Sequence, residues 1–253
     1  MNLRLIRNAT LRLSYGGIEF LIDPMLSVKR AIRPMGDSAE RNPTVELPCP
    51  INEVLDGVDT VLVSHLHPDH FDEAAFGLVP RHLPLLCQPG DLDRLTIAGF
   101  HATELADTIK VGDVSITPTA GRHGHGPIVE RMGNVIGILF RCDTEPTMYW
   151  VGDSVLSDEV RATIERERPD VIVTHSGGAT AEGTEIIMGI ADTIAVAQLA
   201  PTATVIAVHL EAVAHAPVTR QQLRADASRA DITPDRLRIP DDGDTINVVS
   251  RRH

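Results

Sequence analysis

The chain has 253 residues, with 23 lysines and arginines against 35 aspartates and glutamates, a formal net charge of −12. With 43% hydrophobic and 23% charged residues it is close to the globular average, which excludes wholesale disorder, and a chain this long can bury a core without disulfides. The acidic balance argues against a partner held mainly through phosphate neutralisation, such as bulk nucleic acid or an anionic membrane, but leaves room for a local pocket that binds one small anion.

From Leu3 to Asp23, two alternating runs flank Tyr15-Gly16-Gly17 and predict an N-terminal hairpin. Residues 27–52 carry Pro34, Pro43, Pro48 and Pro50 with weak periodicity, and a loop of that length inside a domain is expected to line a pocket or act as a lid. VDTVLVSH (58–65) is a buried strand by its β-branched content, and a helix starts near Phe71-Asp72-Glu73. PLLCQ (84–88) is a strand, and DLDRLTIAG is a helix ending at Gly99. Residues 108–121 form two strands about Gly112-Asp113, and residues 134–142 and 147–153 form a second hairpin. Ser157 caps a helix that stops at Pro169. Then come a strand (171–175), a glycine-rich loop (176–184), a helix (191–201), a strand (204–210), a helix (218–230) and closing extended segments.

No compositional break and no fixed-period repeat divides the chain, so residues 1–253 read as one α/β domain with two sheets. Cys49, Cys87 and Cys142 are an odd number with no CxxC pair, which reads as free thiols in a reducing compartment. The N-terminus has scattered charges and no apolar h-region, and no run approaches about 18 uncharged apolar residues. The expectation is a cytoplasmic protein with no membrane partner.

The strongest local signal is His65-Leu66-His67-Pro68-Asp69-His70, directly after an apolar strand. Four good metal ligands fall within six residues at a strand exit, where one loop can feed two neighbouring metals. Further ligands are sought at other strand ends, and His123, Asp153 and His209 fit. A lone His or Asp at a strand end is more often a hydrogen-bonded structural residue. Their joint occurrence behind HxHxDH favours the metal.

With these residues the chain resembles the metallo-β-lactamase fold superfamily of metal-dependent hydrolases. The matching residues are SHLHPDH (64–70), His123, Asp153 in GDS and His209, in that order, together with LIDP (21–24). Length and spacing look most like the branch containing L-ascorbate 6-phosphate lactonase. The resemblance implies an αβ/βα four-layer sandwich with two mixed sheets. It also implies that His65, His67 and His123 bind one divalent ion, that Asp69, His70 and His209 bind a second, that Asp153 bridges them, and that Asp23 orients a ligand histidine. Zinc suits such donors, and manganese or iron accept them too. Relatives in that branch often carry Gly-His-Ala near the start, where this chain has Arg7-Asn8-Ala9.

Two metals ~3.5–4 Å apart bring a shared water to near-neutral pKa, and the resulting bridging hydroxide attacks an electrophilic carbon or phosphorus. Asp69, or a histidine such as His175 or His215, is the candidate proton donor to the leaving group. Among His125, His175 and His215, His175 follows a strand as the ligands do and is expected to face the pocket. The 27–52 and 176–189 segments are expected to form its mouth, supplying Met25, Leu26, Arg30, Arg33, Met35 and Met188, while Arg33 and Arg122 are candidates for holding an anionic group. The expected function is hydrolysis of a small ester-type substrate, a lactone or a phosphate ester. The alternatives are a nuclease or phosphodiesterase of the same fold, or a non-catalytic metal-binding protein. Oligomeric state is not encoded in any of these features.

Overall fold

The computed structural model describes residues 1–249, so His253 lies outside the described residues. Its first seven-stranded sheet has the order β16-β1-β2-β3-β4-β5-β6. These strands are β1 (Asn2–Arg7), β2 (Thr10–Tyr15), β3 (Ile18–Ile22), β4 (Thr60–Val63), β5 (Pro84–Cys87), β6 (His101–Glu104) and β16 (Thr245–Asn247). From β3 to β6 neighbours run parallel, while β16, β1, β2 and β3 pair antiparallel. The second sheet has the order β15-β14-β11-β10-β9-β8-β7. It is built from β7 (Ile109–Val111), β8 (Val114–Ala120), β9 (Ile136–Arg141), β10 (Met148–Trp150), β11 (Val171–His175), β14 (Thr204–Val208) and β15 (Leu237–Arg238). Here β10, β11, β14 and β15 are parallel, and β7 to β10 are antiparallel. A short hairpin, β12 (Thr180–Ala181) with β13 (Thr184–Glu185), stands apart.

The sheets pack face to face. Leu5, Leu11, Leu13, Phe20 and Leu62 of the first meet Ile116, Phe140, Trp150, Val173 and Ile206 of the second in one buried cluster. Edge-to-face contacts of Phe140 with Tyr15 and Phe20 tie the layers together. Helices cover the outer faces. The first sheet carries α1 (Ile51–Leu55), α2 (Glu73–Leu78) and α3 (Leu92–Ile97). With α4 (Ile128–Met132) lying beside the loop cluster, the second sheet carries α5 (Asp158–Glu167), α6 (Ile190–Leu199) and α7 (Arg220–Arg229). This is the four-layer αβ/βα sandwich. Among the described residues, no helix is long and apolar enough to cross a membrane.

Most elements lie where the residue pattern puts them. Ser157 caps α5, its side chain accepting from Val160 N–H, and Thr219 with Gln222 forms a capping box at α7. Four features differ. The first run is two strands, because Asn8 at φ +59° turns β1 back into β2. The 27–52 segment is not wholly irregular: Ile32 bridges Asn42, and α1 begins at Ile51. β6 and α4 are too short for their periodicity to register. Finally, β14 ends at Val208, and His209 leaves it at φ +60° rather than continuing the strand.

Parallel strands place their C-terminal ends along one edge, where loops collect functional side chains. Asp23 follows β3, His65 follows β4, Asp153 follows β10, His175 ends β11 and His209 follows β14. The two sheets therefore present these residues to one another across a single crevice.

Candidate metal centre

Two groups of side chains converge there, each with its ligand atoms within 4.8 Å of one another. His65, His67, His123 and Asp153 form one, and His70, Asp153, His175 and His209 form the other. Asp153 belongs to both. Its Oδ2 lies 3.1 Å from His70 Nε2, 3.5 Å from His123 Nε2 and 3.8 Å from His65 Nε2. Its Oδ1 lies 2.6 Å from His175 Nδ1 and 3.8 Å from His209 Nε2. Asp69 adjoins the second group, with Oδ2 3.2 Å from His209 Nε2 and 4.0 Å from His70 Nε2.

Acceptors behind the rings set their orientation. His70 Nδ1 lies 2.9 Å from Asp23 Oδ2, which also accepts from Ser64 Oγ at 2.7 Å. Because Ser64 donates to Asp23, its free lone pairs face His65 Nδ1 at 3.1 Å. The carbonyl of Ile186 accepts from His123 Nδ1 at 2.8 Å. These acceptors favour Nδ1 as the protonated nitrogen of the neutral rings, an arrangement that would leave each Nε2, on the Asp153 Oδ2 side, free to ligate.

The Nε2 atoms of His65 and His70 are buried without a hydrogen-bond partner. Buried polar atoms left unpaired cost about 1–3 kcal/mol each. Several lone pairs aimed at one point also repel one another. A divalent cation removes both penalties, so the donor set fits a metal that favours imidazole and carboxylate. Burial, together with neighbouring His70, holds the His65 pKa well below its ordinary value. Burial alone pushes the Asp69 and Asp153 carboxyls up, but the surrounding histidines, His70 first, outweigh it and hold both well below the usual carboxylate range. His70 is itself raised: burial lowers it, but Asp153, Asp23 and Asp69 prevail.

A cavity of about 200 Å³ opens on this cluster. Asp69, His67, His123, Asp153 and His215 supply its polar wall, and Met35, Met132, Ala181 and Ile186 its apolar one. Among the described residues, no lysine or arginine lines it. A larger groove of about 600 Å³ runs beside α7 and β15, but it contains no histidine and is remote from the cluster.

The structure places several residues differently from the sequence reading. His175 does not line the cavity; it is fully buried against Trp150, with Nδ1 2.6 Å from Asp153 Oδ1. Of the two other candidates, His215 lines the cavity, with Nε2 3.9 Å from Asp69 Oδ2, while His125 is exposed. Met25, Leu26 and Met188 are core residues, leaving Met35 as the methionine that the 27–52 segment contributes. Arg30 and Arg33 are exposed outside the cavity, and Arg122 pairs with Glu159 at 2.8 Å. Glu211 holds Arg220 at 2.7 Å rather than a metal ligand. Sequence reasoning missed Met132, Ala181 and Ile186, which sit in short elements with no distinguishing motif.

Fold and cluster together define a metallo-β-lactamase-type protein, and residues 19–210 match the family described as beta-lactamase superfamily domain. The chain belongs to that superfamily and, within it, to the UPF0173 proteins. It is 35% identical to UPF0173 protein YddR of Bacillus subtilis (strain 168), covering 97% of this chain and 99% of that one. A UPF0173 metal-dependent hydrolase of Azorhizobium caulinodans is 26% identical over 73% of this chain and 77% of its own length. Among solved structures, a possible metal-dependent hydrolase from Veillonella parvula DSM 2008 superposes with a TM-score of 0.94 at 31% identity, covering 98% of this chain and 99% of that one. An isothiocyanate hydrolase from Delia radicum gut bacteria superposes at 0.93 with 35% identity, covering 99% of this chain and 100% of that one.

Proposed function

We propose that the protein is a dinuclear metal-dependent hydrolase acting on small, neutral electrophiles. The observation that carries this reading is Asp153, one buried carboxylate shared by two clusters of histidines. In this reading His65, His67 and His123 hold one ion and Asp69, His70 and His209 the other, with zinc the first metal to test. Bound ions supply an acidified water and a positive charge for the atom on which negative charge builds.

The chain's own groups do the rest. Asp23, Ser64 and the Ile186 carbonyl keep the histidines oriented. Asp69 and His215 stand together on the cavity wall, within reach of a leaving atom, and form the route for its proton. Burial keeps the His215 pKa below its ordinary value, so the ring is a neutral donor and acceptor near pH 7. Met35, Met132 and Ile186 exclude water and receive an apolar substituent.

Among the described residues no arginine or lysine stands on this wall, which favours a neutral substrate over a phosphate ester. A lactone fits, and so does an isothiocyanate, the substrate class named for the Delia radicum gut bacterial relative. Adding water to the central carbon of an isothiocyanate gives a thiocarbamate, which breaks into an amine and carbonyl sulfide. The test is a rate comparison of the zinc-loaded protein on alkyl and aryl isothiocyanates, lactones and a phosphodiester. Turnover of one of the neutral classes well above the phosphodiester is expected. A preference for the phosphodiester overturns the reading.

A further inference from the structure

The turn between β1 and β2 is bonded to the segments that carry Asp23, Asp69 and His209. Arg7, fully buried, donates from Nη2 to the carbonyls of Met25 and Ser27, both at 2.8 Å, and from Nη1 to Val45 at 3.0 Å. Thr10 Oγ1 donates to the Asp23 carbonyl at 2.7 Å and accepts from Met25 N–H at 2.9 Å. Between them lies Asn8, also fully buried.

Asn8 makes two bonds that span the crevice. Its Nδ2 donates to the backbone carbonyl of Asp69 at 3.0 Å. Its own backbone carbonyl accepts from His209 N–H at 2.9 Å. Asp69 belongs to the loop after β4 in the first sheet, and His209 leaves β14 in the second. One residue therefore joins the two sheets at the point where Asp69 Oδ2 and His209 Nε2 stand 3.2 Å apart. Asparagine suits the position on two counts. It enters the left-handed region more readily than other residues with a side chain, and here φ is +59°. Its amide also supplies a donor, where the isosteric aspartate presents only an oxygen to the Asp69 carbonyl.

We infer that Asn8 is a positioning residue that holds Asp69 against His209 and so sets the affinity of the metal ion these two share. The inference rests on the dinuclear reading above. It assigns Asn8 an effect on one ion and not on the other, because none of its bonds reaches His65, His67 or His123.

The experiment is a titration of metal-free protein with Co²⁺ alone, followed by absorption and by chelator competition, on wild type, Asn8→Gly and Asn8→Asp. Glycine keeps the backbone conformation and removes the amide; aspartate keeps the shape and removes the donor. Wild type is expected to bind two ions. Both variants are expected to bind one ion as wild type does and the other about 10-fold or more weakly, the usual scale for losing a group that orients a ligand. Thermal unfolding of the metal-free variants reports whether they fold, and one folded variant is sufficient for the comparison. Unchanged affinities, or equal weakening of both ions, overturn the role of Asn8 alone. Fewer than two ions in wild type overturns the dinuclear reading and the inference with it.

Discussion

His175 Nδ1 lies 2.6 Å from Asp153 Oδ1, deep behind the crevice, and this bond leaves Asp153 Oδ2 as the oxygen turned toward His65, His70 and His123. The His175 ring is wedged edge-on against Trp150 at 4.7 Å, with no exposed surface. The role proposed for it is to fix the carboxylate rather than to meet substrate. His175→Ala is therefore expected to weaken metal binding by about 10- to 100-fold, measured by chelator competition, and to leave substrate KM little changed at saturating metal. Wild-type metal affinity in that variant would remove the positioning role.

Asp153→Ala removes the group common to both clusters. Activity is expected to be abolished, while far-UV circular dichroism stays native, since Asp153 lies in the loop between β10 and α5 and not within a strand or helix. Full activity in the variant would exclude Asp153 from the site.

Gly36 touches the cavity wall through its backbone. A Cβ there would come within 2.5 Å of the Thr180 carbonyl and 2.8 Å of His215 Cβ, and φ is +57°. Gly36→Ala is expected to cost about 1–3 kcal/mol in stability from the backbone conformation alone. It also displaces His215, so kcat is expected to fall. A thermal unfolding curve and a steady-state rate check both, and a variant equal to wild type in each contradicts the placement.

The cavity mouth carries a pH-sensitive clasp. Asp37 accepts from the N–H groups of Gly183 at 3.0 Å and Glu182 at 2.7 Å, and these bonds hold its pKa below the ordinary carboxyl value. A depressed folded-state pKa contributes stability that is fully present above the unfolded value and is lost as pH falls through the folded one. The stability difference between wild type and Asp37→Asn is therefore expected to shrink over the acid range in which pH falls below the ordinary carboxyl value. Denaturant melts across that range measure it. A difference that grows as pH falls has the wrong sign for this clasp.

Half of the site was legible because it is contiguous: His65, His67, Asp69 and His70 fall in one loop after one strand. His123, Asp153 and His209 were legible as strand-end residues once that loop had raised the question of a metal. The choice between His175 and His215 was not legible. Both follow the same alternating half of the chain, and only the packing of β11 against Trp150 sends one inward while the loop after His209 brings the other to the cavity. Asn8 stood out only as part of a departure from Gly-His-Ala, and its bonding was hidden, since its partners are 61 residues away at Asp69 and beyond β14 at His209, distances set by sheet stacking rather than by local pattern. The fold was legible from strand and helix order, but β6 and α4, with four and five residues, carry too little periodicity to be seen.

The account stands on two metal positions sharing Asp153, and anomalous diffraction at the zinc edge from crystals of the zinc-loaded protein addresses it directly. Two peaks are expected, one among His65, His67 and His123 and the other among Asp69, His70 and His209, both within coordinating distance of Asp153. A single peak, or two peaks that do not share Asp153, would contradict it.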